Sequence, residues 1–265
     1  MPEASVIRAS AGADVKSDIV QAVGGLGGLG AFVKPGSRVL LKPNFNTADP
    51  FPASSAPDFV AAMADLCHEA GAAAVAVGDS CTYFKRTANV MRDWGIDQLR
   101  ERRPWLEVID FDRGRWQAVA LPQGQVLKKV SVPAALSEFD TLILLPCLKT
   151  HVLASYTGAL KLSVGLMKPS ERLALHASGL QPKIADLNLA IRPDLIVMDA
   201  RKCFIDRGPM NGTVREPGLV LASRSRVALD IEGVRIIRSF PGNSLASVEP
   251  EELPQIKSAL ALGIA

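Results

Sequence analysis

The segment from Cys147 to His176 (CLKTHVLASYTGALKLSVGLMKPSERLALH) concentrates side chains suited to acid–base chemistry. Two of the chain's three histidines, His151 and His176, fall here with Lys149, Lys161 and Lys168. Imidazole titrates nearest cellular pH, so it serves as general acid, general base or metal ligand. A lysine desolvated beside another cation becomes a base or a nucleophile, or it holds an anion. His151, Lys161, Lys149 and His176 are therefore the expected catalytic set. A helix-prone stretch over Gly158 to Met167, capped by Thr157, would place Lys161 in its first turns. A helix N-terminus beside lysine and histidine makes an anion site. The competing reading leaves Lys149 and Lys168 as solvated surface lysines and His176 as a cap at a helix end.

Other polar groups follow apolar runs. Lys42, Asn44 and Asn46 follow RVLL, Asp79, Ser80 and Thr82 follow AAVAV, Thr150 follows TLILL, and Asp199 follows LIVM. These, with Asn211 in the loop RGPMNG, are the expected ligand-binding residues. Asp79 and Asp199 could bind a metal, a ribose or a substrate hydroxyl, or could only cap the next turn. The loop from Arg207 to Gly212 could close over a site or be a long turn. His68, beside Cys67 on a helical stretch, reads as structural.

The four cysteines, Cys67, Cys81, Cys147 and Cys203, are separated by 14, 66 and 56 residues, with no CxxC pair. Ferredoxin-type cluster loops, zinc ribbons and thioredoxin motifs are excluded as local motifs. The plain reading is buried thiols. The alternative is that Cys81, Cys147 and Cys203, with His176, meet in the fold around a metal or an iron–sulfur cluster. GLGGLG, Gly25 to Gly30, matches the dinucleotide pattern literally but follows a helical stretch rather than a strand. It reads as a flexible helix-to-strand connection. Neither G-x-x-x-x-G-K-[ST] nor G-x-S-x-G occurs.

These residues need a scaffold. Short apolar runs at Arg38–Leu41, Ala73–Val77, Thr141–Leu145, Leu195–Met198 and Leu219–Leu221 alternate with helical stretches such as Ala56–Ala70. That pattern predicts an α/β fold: a mostly parallel sheet with helices on both faces, in Rossmann-like layers. Leu106 to Val132 reads as a small antiparallel β excursion, and helices are expected over about 226–237 and 250–262. The expectation is a single α/β domain over 1–265, with room for a small lobe at about 106–135. In open sheets of this kind ligands bind beyond the carboxyl ends of the strands, where the polar groups gather.

Composition narrows the partners. The chain has 265 residues, 48% hydrophobic and 22% charged, and a net charge of +3. So small and dispersed a charge, with only 5% aromatic residues, argues against nucleic acid. No apolar run reaches the length of a membrane span, and the first residues do not read as a secretory signal, so the cytoplasm is the expected compartment.

An ordered series carries a family resemblance: Lys42-Pro43-Asn44, Lys149-Thr150-His151, Thr157 to Lys161 with Gly165, His176, Ile184 to Asn188, Arg192-Pro193-Asp194, Asp199, Gly208-Pro209, Gly212 and Ala222-Ser223 through Asp230. From about residue 36 to 235 the chain resembles the domain-of-unknown-function family DUF362. That resemblance implies no assigned reaction. Some members carry a ferredoxin module with two four-iron clusters, whose cysteine loops are absent here. More distantly, the order His151, Lys161, His176 is similar to that of lactate-racemase-like enzymes. By that likeness Lys161 would tether a nickel-pincer nucleotide, His176 would ligate nickel and His151 would shuttle a proton. The additional upstream histidine of those enzymes has only His68 as a counterpart.

Three functions are expected in turn: an enzyme using Lys/His chemistry on a small carboxylate or phosphate; a metal- or cluster-dependent redox protein or nickel-pincer isomerase, served by a separate redox partner; and a non-catalytic ligand-binding module. A homodimer is compatible with each.

Overall fold

The computed structural model describes residues 5–177 and 179–264, with the side chains of residues 176 and 177 outside that description. In chain order the strands are β1 (Val6–Ser10), β2 (Arg38–Lys42), β3 (Ala74–Asp79), β4 (Leu106–Asp110), β5 (Trp116–Ala120) and β6 (Lys129–Pro133). They continue as β7 (Thr141–Leu144), β8 (Cys147–His151), β9 (Ser155–Thr157), β10 (Leu195–Phe204), β11 (Val214–Arg215) and β12 (Leu219–Ser223). The helices are α1 (Val15–Gly24), α2 (Pro57–Glu69), α3 (Thr87–Trp94), α4 (Ile96–Glu101), α5 (Ala159–Leu162), α6 (Pro169–Ala177), α7 (Leu180–Leu187), α8 (Arg226–Arg238) and α9 (Pro254–Ala261).

The main sheet runs β1-β12-β10-β7-β2-β3-β4. From β10 to β4 every pairing is parallel, with Leu41 opposite Ile143 and Val77. The apolar runs explain this: a strand covered on both faces needs hydrophobic side chains on both. Val39, Leu41, Val75 and Val77 face a core completed by Ile19, Phe59 and Met63 from α1 and α2. Their neighbours Leu40 and Ala76 face the opposite side, with Phe111, Leu166 and Leu175. Helices therefore cover both faces, as the sequence pattern predicts.

Four expectations change in detail. Leu219–Ser223 is antiparallel, pairing with both β10 and β1. No helix separates it from β10, so the chain returns without a crossover. Val6–Ser10, not anticipated, completes that edge. Leu106–Asp110 is the opposite, parallel edge strand rather than part of the antiparallel excursion, which is confined to the β5–β6 pair. The helix expected over 158–167 is a four-residue α5 followed by a 3₁₀ turn at Ser163–Leu166. The GLGGLG segment does connect helix to strand. Gly27 and Gly28 take positive φ in the turn after α1, and a 3₁₀ turn at Leu29–Ala31 precedes β2.

Two features prepare the site. β7 and β8 both lie alongside the ten-residue β10, whose register shifts between Asp199 and Cys203. β8 then folds back on β9 as a hairpin, with Lys149 opposite Thr157 and His151 opposite Ser155. The hairpin carries Lys149 and His151 past the end of the parallel strands.

Candidate functional site

A cavity of about 240 Å³ opens beyond the carboxyl ends of β2 and β3, beside the β8–β9 hairpin. Nine of the expected residues line it: Lys42, Asn44, Asn46, Asp79, Ser80, Thr82, Lys149, His151 and Lys161. Arg172, Tyr83, Phe84 and Leu153, to which sequence reading assigned no role, line it too, together with Gly165 of the family series and Pro209 and Met210 of the Arg207–Gly212 loop.

The floor begins with an ion pair. Lys42 Nζ lies 2.8 Å from Asp79 Oδ1, and both side chains are almost fully buried. Lys42 also donates to the Pro43 carbonyl at 2.7 Å. Asp79 accepts from the backbone N–H groups of Phe45 and Ser80, each at 2.7 Å. Burial pulls the Lys42 ammonium below the ordinary lysine range and pushes the Asp79 carboxyl up, and their attraction opposes both shifts. Such a pair must be well hydrogen-bonded to persist away from water, and it is.

Arg172 feels the charges of Asp79 and Asp112, whereas Lys149 and Lys161 have no carboxylate hydrogen-bonded to them among the described residues of the wall. Lys149 donates to the Ala53 carbonyl, and burial lowers its pKa to about 8. Lys161 falls to about 7, through burial first and then repulsion from Lys149 and Arg172. Neither is a solvated surface lysine; Lys168 is half-buried and does not line the cavity. The buried Arg172 is a structural brace as well as a charge. Its Nε donates to Met167 O at 2.7 Å, Nη2 to Ser80 Oγ at 2.6 Å, and Nη1 to the carbonyls of Ser80 and Cys81. With Asp79 as the one acidic residue among the described residues of the wall, the cavity carries excess positive charge.

His151 Nδ1 accepts the N–H groups of Leu153 at 3.0 Å and Ala154 at 3.1 Å. An imidazole nitrogen that accepts must hold its lone pair, so the neutral ring carries its proton on Nε2. Thr157 Oγ1, buried in the same wall, has no hydrogen-bond partner among the described residues.

The helix N-terminus expected to bind an anion is already filled. Asp230 accepts from Ala159 N at 2.6 Å and Leu160 N at 3.0 Å. The cap position is Gly158, not Thr157. A Cβ at Gly158 would stand 2.1 Å from Asp230 Oδ1, so only glycine admits the carboxylate. Burial raises Asp230 to about 7 against the pull of those two donors.

Other expected residues lie elsewhere. Thr150 Oγ1 accepts from Gly208 N at 3.2 Å, joining strand to loop. Asn211 is exposed and does not line the cavity. Asp199 accepts from Arg201 Nε at 2.9 Å and Nη2 at 2.7 Å. That guanidinium also forks onto Asp58 at 2.7 and 2.9 Å, so both carboxylates are engaged by Arg201. His68 stacks on Trp105, ring centroids 4.1 Å apart. His176 is in α6, its side chain outside the described residues.

Cys81, Cys147 and Cys203 do not share a site. Among the described residues no three or more metal-ligating side chains lie together. The Cys81 thiol donates to the carbonyls of Thr82 and Lys85, Cys147 lies against Ser55, and Cys203 is buried in β10. Burial raises all three, Cys147 to about 11 and Cys203 to about 12. Burial thus favours the thiol form at each of the three.

Known proteins resemble this chain in sequence and fold. A thylakoid-associated protein of Synechocystis sp. is 29% identical over 247 residues, spanning 90% of this chain and 72% of that protein. The lactate racemase apoprotein of Thermoanaerobacterium thermosaccharolyticum aligns with a TM-score of 0.53 at 13% identity, over 88% of this chain and 63% of that one. A Thermotoga maritima protein aligns with a TM-score of 0.44 at 12% identity, over 86% and 59%. The chain thus spans less than two thirds of each structure, and the likeness to lactate racemase is one of fold.

A lysine-tethered nickel-pincer group would need an amine and an imidazole ligand set together. Lys161 supplies the amine, but His151 is the one imidazole in the described cavity wall, and its Nδ1 is engaged by the backbone. The described donors do not make up that set. What the sequence itself establishes is the family: the DUF362 model, a domain of unknown function, matches residues 39–235, well over half the chain, and the chain belongs to that family.

Proposed function

We propose that the chain is an enzyme acting on a small carboxylate or phosphate, with its anionic group against Lys149, Lys161 and Arg172. The observation that carries this reading is the charge imbalance in the cavity wall: five cationic or imidazole groups against one carboxylate, itself paired. Lys149 is buried and Lys161 half-buried, desolvated cations of this kind are costly, and an anion relieves that cost. The orphaned hydroxyl of Thr157 supports the reading, since it can donate to an anion's oxygen.

Proton transfer follows from the same residues. Lys161, near 7, is part amine and part ammonium at neutral pH, which suits it to give and take a proton. His151, with Nδ1 held by the backbone, exchanges its proton through Nε2. A carboxylate is also the substrate named for lactate racemase, whose fold this chain resembles.

The test is binding, then exchange. Thermal stabilisation of the full chain by acetate, lactate, phosphate and sulfate is measured, followed, for acetate and lactate, by incorporation of solvent deuterium at the carbon beside the carboxylate. At least one anion should raise the melting temperature, and Lys161→Met should abolish that rise. His151→Ala should bind the anion yet lose the exchange. Indifference of the wild-type protein to every anion, or an unaltered response in Lys161→Met, would overturn the proposal.

A further inference from the structure

We infer that the anion is amphiphilic: a carboxylate or phosphate head on the cationic floor, with an apolar chain or ring lying across the opening. This rests on the anion reading above and names the class of ligand. Isolated exposed apolar side chains are ordinary. Here, however, Tyr83, Phe84, Leu153 and Met210 are 49%, 64%, 63% and 47% exposed, and all four line one cavity. They come from three separate segments: the loop after β3, the tip of the β8–β9 hairpin and the loop after β10.

Each segment is fastened to the floor. Arg172 holds the carbonyls of Ser80 and Cys81 beneath Tyr83 and Phe84. Those two rings meet edge to face at 5.4 Å. His151 holds the N–H of Leu153. Gly208 is joined to the hairpin at both Thr150 and Val152, which places Pro209 and Met210 at the opening. Loops tied down this way present their apolar groups in a fixed arrangement. Were they solvent-facing by accident, polar residues would serve equally.

Size points the same way. A cavity of about 240 Å³ is below the roughly 300–1,000 Å³ that encloses a whole drug-sized ligand. The head fits inside, and the remainder must cross the rim. Lys85 and Arg86, exposed beside the aromatic pair, favour approach of an anion.

The experiment is calorimetric titration of the full chain with acetate, butanoate, hexanoate and octanoate, and with methyl, butyl and octyl phosphate. Affinity should rise about twofold per methylene, approaching the fourfold expected for complete burial. Phe84→Ser/Leu153→Ser should flatten that rise, whereas Val20→Ser, exposed but away from the cavity, should keep it. Melting temperatures verify that each variant is folded. Short anions binding with no gain along the series would overturn the inference and leave the anion reading standing. A gain undiminished in the double variant would also overturn it. Failure of every short anion to bind would remove the anion reading itself. Sedimentation with phosphatidylcholine vesicles containing phosphatidic acid separates the sources. Pelleting that the double variant loses identifies a lipid headgroup, and no pelleting beside a chain-length gain identifies a dissolved amphiphile.

Discussion

Gly165 stands so close to Asp79 that a Cβ on it would lie 2.4 Å from Oδ1, and 2.8 Å from the Lys42 ammonium. The 3₁₀ turn at Ser163–Leu166 closes directly over the buried ion pair, and a residue without a side chain is what permits it. Gly165→Ala must therefore push the turn outward or separate the pair. Overpacking of this kind costs about 1–3 kcal/mol. Separation would add the penalty of buried, poorly paired charge. The expected outcome is a lower denaturation midpoint together with weaker anion binding, because the turn also carries Val164 into the cavity wall. Unchanged stability on chemical denaturation would show that the turn does not press on the pair.

The depressed lysines predict an unusual dependence of stability on pH. Lys161 titrates near 7 in the folded protein against 10.5 ordinarily. A group whose protonation is disfavoured by folding binds more protons in the unfolded chain between those values, so stability rises with pH across that window. Below about pH 7 the folded protein carries the penalty of charging a half-buried amine beside Lys149 and Arg172. Lys161→Met removes it. The variant should be more stable than wild type at pH 6, by a few kcal/mol, and the gap should close toward pH 10. Denaturation curves at pH 6, 8 and 10 decide this; a gap constant with pH would mean that Lys161 is not desolvated.

Anion binding should take up protons for the same reason. A bound carboxylate or phosphate beside Lys149, near 8, and Lys161, near 7, favours their charged forms and raises both values. At pH 7.5 the free protein holds less than its full complement of protons there, and binding restores it. Affinity should fall as pH rises from 7 to 9. Calorimetric enthalpies in two buffers of different ionisation heat should differ by a fraction of a proton. Buffer-independent enthalpies would contradict the shifted lysines while leaving binding itself intact.

The parts of this arrangement that sequence reading could reach are those written locally. Apolar runs such as RVLL and TLIL announce a parallel sheet, and the sheet says where ligands go, so Lys42, Asp79 and Lys149 could be placed from pattern alone. Arg172 could not. It lies on α6, follows no strand, and reaches the site only through contacts with Ser80 and Cys81, which are 92 and 91 residues away. Asp230 is similarly hidden: its claim on the N-terminus of α5 spans 71 residues. A helix start that looked open to an external anion is thus sealed by the chain itself. The edge strand LEVID misled for a different reason. A strand exposed on one side alternates polar and apolar residues, and this is also the mark of an antiparallel hairpin.

Asp199 offers a test of where the site ends. It follows an apolar run as Asp79 does, yet it lies within β10, and its partners are Arg201 and, through that guanidinium, Asp58. Arg201 also lies over the rings of Phe51 and Phe59, each centroid 5.6 Å away, so the charge is packed as well as paired. Asp199→Ala leaves Arg201 with Asp58 alone and a buried space where the carboxylate stood. A loss of about 2 kcal/mol is expected from charge-assisted hydrogen bonds. Anion affinity should stay at the wild-type value, because Asp199 does not line the cavity. Asp79→Ala should behave oppositely, leaving Lys42 buried without its partner at a cost of about 3–5 kcal/mol and changing the floor on which an anion rests. Measuring both variants for stability and for anion binding separates the two aspartates. Weakened binding in Asp199→Ala, at temperatures where that variant is fully folded, would extend the site to β10.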